Sequence, residues 1–194
     1  MSRAFGRLVL VALVVFGLWY VLAHYHGGGS SGCDASGPAV AHADTGQCPA
    51  TAQDLATDYT WAQQRIQSLT GQPVTTGKLY YGNAATGYQV ETFQSGFDTW
   101  SDKAEAILKQ AGVTMPRVGR FPAVADVETK ASVYLRQNEI DYGVIVINNG
   151  KWPTGVCQGP FSCDTAIRAI LVPGSTLAVW WPGARTSNRI GGDG

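Results

Sequence analysis

The chain has 194 residues, 45% of them hydrophobic, with 14 basic and 14 acidic side chains and a net charge of zero. This suits one globular domain of ordinary size with a real core and a short appendage. The charge is mixed along the chain, which excludes a strongly basic nucleic-acid stripe, although a few arginines on one face can suffice for binding.

Arg3 and Arg7 precede an uncharged apolar run, Leu8 to Ala23. A positive flank before such a run keeps the N-terminus in the cytoplasm and sends the rest of the chain across the membrane. The run is short of the roughly 20 residues of a spanning helix, so residues 1–26 read as a signal peptide or a membrane anchor. Residues 27–47, rich in Gly, Ser and Ala, have no hydrophobic period and read as a flexible linker. Cys33 and Cys48 can pair in an oxidising compartment. A leading helix is expected within 48–74, from Leu55, Tyr59, Ile66 and Leu69 at helical spacing, Thr51 as its cap and Gly71 at its end. "GKLYYG" and "GYQVETF", split by "NAATG", predict a hairpin. "TWSDKAEAILKQAG" predicts an amphipathic helix closed by Gly112. A second helix carries Asp126 and Glu128 at its start and runs to about Asn138. "YGVIVIN" is apolar throughout, as in a strand covered on both faces. A loop through Gly150, Pro153 and Gly155 then reaches Cys157. Cys163 opens a third helix, "STLAVWW" gives a further strand, and residues 184–194 read as a flexible tail. Helices alternating with apolar strands predict an α/β fold of three layers, a mixed sheet covered by helices.

Asp126 and Glu128 have a plain reading as an N-cap and a first-turn carboxylate. Cys157 and Cys163 have one too, as a disulfide closing a small loop. Together they follow another pattern. Zinc nucleobase deaminases place a ligand two residues before a Glu at one helix start, and two Cys at the next helix start after an intervening strand. Thiolates at a helix N-terminus are favoured by its dipole. In such a site Asp126, Cys157 and Cys163 are the metal ligands and Glu128 the proton shuttle.

"DVETKASVYLRQNEIDYGVIVINNG" and "CQGPFSCDTAIRAILVPGSTLAVWWPG" resemble the bacterial DddA-like deaminase toxins, a group that includes double-stranded-DNA cytosine deaminases. The upstream "TTGKLYYG", "GYQVETFQSGFD" and "AEAILKQAGV" resemble that family's opening hairpin and first helix, so the likeness spans roughly residues 75–183. It implies the cytidine-deaminase-like fold, a zinc cofactor and hydrolysis of an exocyclic amine. It also implies an exported antibacterial toxin that acts on cytosine in DNA, with RNA or a free nucleoside as alternatives. The implied partners are a cognate immunity protein and, through residues 8–23, the membrane or export machinery. By the same resemblance Glu128 is catalytic and Asn148 and Asn149 stand where substrate contacts are expected; read without it, Asn-Asn-Gly at a strand end is simply a turn. Trp152 and Phe161 are candidate wedges against a flipped base. Arg185 and Arg189 are candidate phosphate contacts, or a solvated tail.

Two departures stand out. The cysteines are spaced C-x5-C rather than C-x2-C, and the first ligand is Asp126 instead of His. His24, His26 and His42 all precede the domain, which excludes Ser-His or Cys-His catalysis inside it. A carboxylate adds one negative charge relative to imidazole and is expected to weaken a bound metal as a Lewis acid. The competing expectation is a catalytically weak or inactive binding module on the same fold, with a Cys157–Cys163 disulfide.

Overall fold

The computed structural model describes residues 50–83 and 85–193. The apolar segment at 1–26 and the linker at 27–47 lie outside the described residues, as do Cys33 and Cys48. Among the described residues no helix is long and apolar enough to cross a membrane.

The chain opens with two short helices, α1 (Ala52–Leu55) and α2 (Tyr59–Ser68). The sequence predicts one helix here; the chain breaks because Asp58 caps the second, its carboxylate accepting the Trp61 N–H at 2.9 Å. Thr51 caps the first, in a reciprocal box with Asp54. Strands β1 (Thr76–Asn83) and β2 (Gly87–Gln94) form the expected hairpin. Helix α3 (Thr99–Gln110) comes next, then a 3-10 turn (Pro122–Ala125) and helix α4 (Val127–Gln137). Strand β3 (Tyr142–Ile147), helix α5 (Cys163–Ile170) and strands β4 (Thr176–Trp180) and β5 (Asn188–Gly191) complete the domain.

The strands form one mixed sheet in the order β2-β1-β3-β4-β5. Only β3 and β4 are parallel, and the other neighbours pair antiparallel. Side chains alternate across the sheet. Leu79, Ile145, Ile147, Leu177, Val179 and Ile190 meet the layer of α3, α4 and α5. Tyr80, Val144, Val146, Ala178 and Trp180 meet α1 and α2 on the other face. The result is the three-layer α/β fold that the sequence predicts, with the leading helices as its second outer layer.

The expected flexible tail at 184–194 is corrected by β5, whose residues pair with β4 from Val179↔Asn188 to Thr176↔Gly191. Its sequence offers one core side chain, Ile190, and so gives no alternating signal. The unpaired edge of β4 supplies the reason it is a strand.

Helix α4 is buried almost all round, because it lies on the sheet between α3 and α5. Two glycines set its depth. A Cβ at Gly77 would stand 3.1 Å from Val127 Cγ2, and one at Gly143 would stand 2.8 Å from Leu135 Cδ2. Val127 and Leu135 lie near the two ends of α4, so the helix rests on β1 and β3 at both. That seating fixes where Asp126 and Glu128 emerge.

Candidate active site

The parallel strands β3 and β4 end side by side, and the long loop after β3 carries Cys157 to the start of α5. Ser162 caps α5, accepting the Thr165 N–H at 3.3 Å. Cys163 is thereby the first helical residue, and its backbone N–H donates to Cys157 Sγ at 2.8 Å. The two sulfurs are 2.50 Å apart and their Cα atoms 5.2 Å apart.

Asp126 occupies the N-cap position of α4 with extended backbone, yet its side chain makes no cap hydrogen bond. Instead Oδ2 lies 3.0 Å from Cys163 Sγ and 4.0 Å from Cys157 Sγ. The three ligand atoms all fall within 4.8 Å of one another, and the three residues are buried or half-buried. One carboxylate oxygen and the two sulfurs, which the structure pairs as a disulfide, thus converge from two helix starts, and with that pair reduced the three atoms form a candidate ligand set. Carboxylate and thiolate are both zinc ligands, and three protein ligands is the number that catalytic zinc sites use.

Glu128 is only 6% exposed. Burial, and then the neighbouring Asp126 charge, push its carboxyl up to about 8. Asp126 is pushed up to about 6 by burial, with the Lys130 and Lys151 ammonium groups pulling the other way. A positive charge in this site would draw both carboxyls down. A carboxyl that gains and loses its proton near neutrality is suited to general acid–base work.

The other candidates fare differently. Asn148 is corrected: its Oδ1 accepts the Thr76 N–H at 2.8 Å, and its Nδ2 faces the Leu69 and Val74 carbonyls, each at 3.3 Å. Its amide pins the end of β3 to the chain leaving α2, on the sheet face away from Asp126, and is occupied there. Asn149 closes a local turn, with Oδ1 accepting the Lys151 N–H at 3.0 Å. Trp152 is 40% exposed beside the Lys151 ammonium, and Phe161 is 39% exposed. Phe161 packs edge-on against Phe121, centroids 5.8 Å apart, which joins the loop between the cysteines to the segment leading into Asp126.

Lys130 has no place in the sequence motif, yet the structure puts it at the heart of the site's support. It is 1% exposed, and its Nζ donates to the Gln94 carbonyl and to Asp98 Oδ2, both at 2.7 Å. It ties α4 to the end of β2 and the start of α3 while placing positive charge near Asp126. A signal for it exists in the sequence: Val127, Lys130, Ala131 and Tyr134 fall on one helix face, so a lysine interrupts an otherwise apolar stripe.

A comparison with curated proteins finds no match. A family model for SCP1.201-like deaminases matches residues 45–194, a span that includes every helix and strand described above. The match takes in α1, α2 and β5 as well as the two helix starts, and by it the chain belongs to the SCP1.201-like deaminase family.

Proposed function

We propose that this protein is a zinc-dependent deaminase of the DddA-like kind that hydrolyses the exocyclic amine of cytosine in nucleic acid, DNA foremost. The observation that carries the reading is the Asp126 side chain, which leaves its helix cap unmade and faces Cys163 and Cys157. Asp126, Cys157 and Cys163 would hold the zinc, which supplies Lewis acidity when bound. Glu128, buried in the first turn of α4, takes a proton from the attacking water and returns it to the leaving ammonia. Its environment suits both states, because burial disfavours the anion while a nearby cation restores it. Trp152 and Phe161 flank the loop before and within the cysteine pair and offer apolar faces to an unstacked base. Asn149 stands just past the end of β3, in the same loop.

The family assignment and the apolar segment at residues 8–23 support a further reading, that the domain is exported and acts as an antibacterial toxin. Such a producer needs an immunity protein that covers the site. The test is incubation of the purified protein with single- and double-stranded DNA, then sequencing. C-to-T changes that vanish in Glu128→Gln bear the proposal out; unchanged DNA with both substrates, from zinc-loaded protein, refutes it. Asp126→His is expected to raise turnover, since a neutral imidazole leaves the metal a stronger Lewis acid.

A second reading rests on the cysteines alone. Their Cα separation of 5.2 Å also suits a disulfide, and an exported domain meets oxidising conditions. Oxidised, the pair cannot ligate, and the domain would be a binding module. Zinc content and thiol count separate the two: one zinc with two protected thiols supports the deaminase, and a disulfide that excludes zinc supports the module.

A further inference from the structure

The two sulfurs of the candidate site have two uses that exclude each other. Among the described residues Cys157 and Cys163 are joined in a disulfide and no cysteine is free. The same two sulfurs and the Asp126 carboxylate lie within 4.8 Å of one another as a possible ligand set. A metal takes the thiolate, and a sulfur held in a disulfide has none to give.

The Asp126 side chain is arranged for the opened pair. It leaves its helix cap unmade and sets Oδ2 3.0 Å from Cys163 Sγ. In the bridge that sulfur carries no hydrogen, so the carboxyl receives no hydrogen bond in place of the cap. Its only side-chain polar neighbours among the described residues are the two sulfurs. A half-buried carboxyl left so is costly. Reduction relieves the cost, because the sulfurs then face it as S–H donors or as fellow ligands of a cation.

Opening the bridge leaves the loop in place. It joins residues only six apart, and other bonds hold the same segment. The Asp164 N–H donates to the Cys157 carbonyl at 3.3 Å, which ties Cys157 to the start of α5. Gly159 offers its carbonyl to the Ser162 N–H at 3.3 Å and to the Thr165 hydroxyl at 3.1 Å. Val156, next to Cys157, is fully buried in the core, and Phe161 rests on Phe121. The sulfurs therefore stay beside Asp126 in either state. Cys163 is 2% exposed while Cys157 is only half-buried, so a reductant meets Cys157 first.

We infer that the Cys157–Cys163 pair is a redox latch on the metal site: bridged, the domain holds no zinc, and opened by a thiol reductant it gains its ligand set. The inference rests on the zinc-deaminase and export readings proposed above and adds when the site assembles. It is closed in an oxidising compartment and open in a reducing cytosol, where small thiols and protein dithiols supply the electrons. A reductant thiolate attacks Cys157 Sγ and bonds to it, while the S–S electron pair leaves on Cys163 Sγ, which takes up a proton. A second reductant thiolate then displaces Cys157 Sγ, which is protonated in turn. Two electrons reach the protein sulfurs and the reductant departs as a disulfide.

The test uses the full chain, brought to a series of glutathione ratios with and without buffered free zinc. The state of the pair is read by alkylation and the mass of the tryptic peptide spanning 152–168, which carries both cysteines and neither Cys33 nor Cys48. Zinc is counted in the same samples, and melting checks that both forms are folded. Bridged protein should retain no zinc and reduced protein about one per chain. Because zinc binds only the opened pair, free zinc at about 100 times its dissociation constant should let the pair open at a glutathione poise about 100-fold more oxidising. Asp126→Ala should shrink that shift while leaving the zinc-free midpoint within reach of glutathione. Equal zinc in the bridged and opened forms, or a midpoint that zinc does not move although reduced protein binds it, overturns the latch and leaves the deaminase reading standing. So does a pair that stays as thiols in oxidised glutathione alone, or one that opens only when the protein unfolds. Folded, fully reduced protein that takes up no zinc removes the zinc-deaminase reading itself, and the latch with it.

Discussion

Two helix starts in this protein use the same residue at the same position and do opposite things with it. Asp98 and Asp126 both stand at an N-cap with extended backbone. Asp98 behaves as a cap: its Oδ1 accepts the Trp100 and Ser101 N–H groups at 2.9 and 3.0 Å. Its other oxygen meets the Lys130 ammonium. Asp126 makes no cap bond and turns to the two sulfurs. Their acidities part accordingly. Burial pushes Asp98 up, but the hydrogen bonds from Lys130 and the Ser101 N–H outweigh it and hold the carboxyl below its ordinary value. Asp126 has no such bonds and burial prevails. Of the two, only Asp126 forgoes the stability a cap provides, and a local rule broken without local compensation is the mark of a functional site.

The largest effect expected from this contrast is on chemistry. Glu128→Gln, which keeps the size of the side chain and removes its proton exchange, should lower deamination by about 1,000-fold. A rate assay on DNA, with zinc content measured beside it, checks this; a loss under about tenfold with zinc retained would remove Glu128 from the reaction.

Next comes stability. Asp98→Ala leaves the buried Lys130 ammonium with only the Gln94 carbonyl and strips a cap, and should cost about 3 kcal/mol, discounted for the partial exposure of Asp98. Asp126→Ala has no cap bond to lose and removes a buried carboxylate, so it should cost less than about 1 kcal/mol in zinc-free protein. Urea unfolding of the two variants side by side decides the matter. Equal costs would mean that Asp126 is an ordinary cap after all.

The contrast also has a pH signature. Because the folded Asp98 carboxyl is more acidic than in the unfolded chain, its contribution is fully present above about pH 4, the ordinary Asp value, and is lost as pH falls through the folded value. The gap in unfolding free energy between wild type and Asp98→Ala should therefore narrow on acidification below about pH 4. A gap that stays constant would show that Lys130 does not hold Asp98 ionised.

The smallest effect lies at the far end of α4. Glu139 takes positive φ, 54°, in a Schellman ending. The Ile140 N–H reaches the Leu135 carbonyl at 2.9 Å and the Glu139 N–H the Arg136 carbonyl at 3.4 Å. Glycine has no Cβ to strain there, so Glu139→Gly should add about 1 kcal/mol without touching the site. A melting temperature that fails to rise would mean that a contact of the Glu139 side chain offsets the strain.

The contrast also explains what a sequence can and cannot say. Elements whose apolar pattern faces a layer are legible: the hairpin, α3, α4, α5, β3 and β4. The break between α1 and α2 turns on a single cap, Asp58, inside a continuous helical pattern. Strand β5 is four residues with one core side chain, and its reason to pair lies in the edge of β4. At the site, the order Asp126, Glu128, Cys157, Cys163 can be read as one constellation or as a cap and a disulfide. For Asp126 the deciding difference is a side-chain rotation. Asn148 escapes sequence reasoning because a strand end looks the same from either face of the sheet; its side chain falls on the face of α1 and α2. Lys130 escapes a search for motifs, although it breaks an apolar stripe.

The central claim is that one oxygen and two sulfurs grip a single zinc ion. X-ray absorption at the zinc edge, on protein reduced with a dithiol and loaded with zinc, tests it most directly. The account predicts one zinc per chain, with two sulfurs at about 2.3 Å and an oxygen shell at about 2.0–2.2 Å that loses one member in Asp126→Ala. A reduced protein that takes up no zinc, or a first shell unchanged by that substitution, would contradict it.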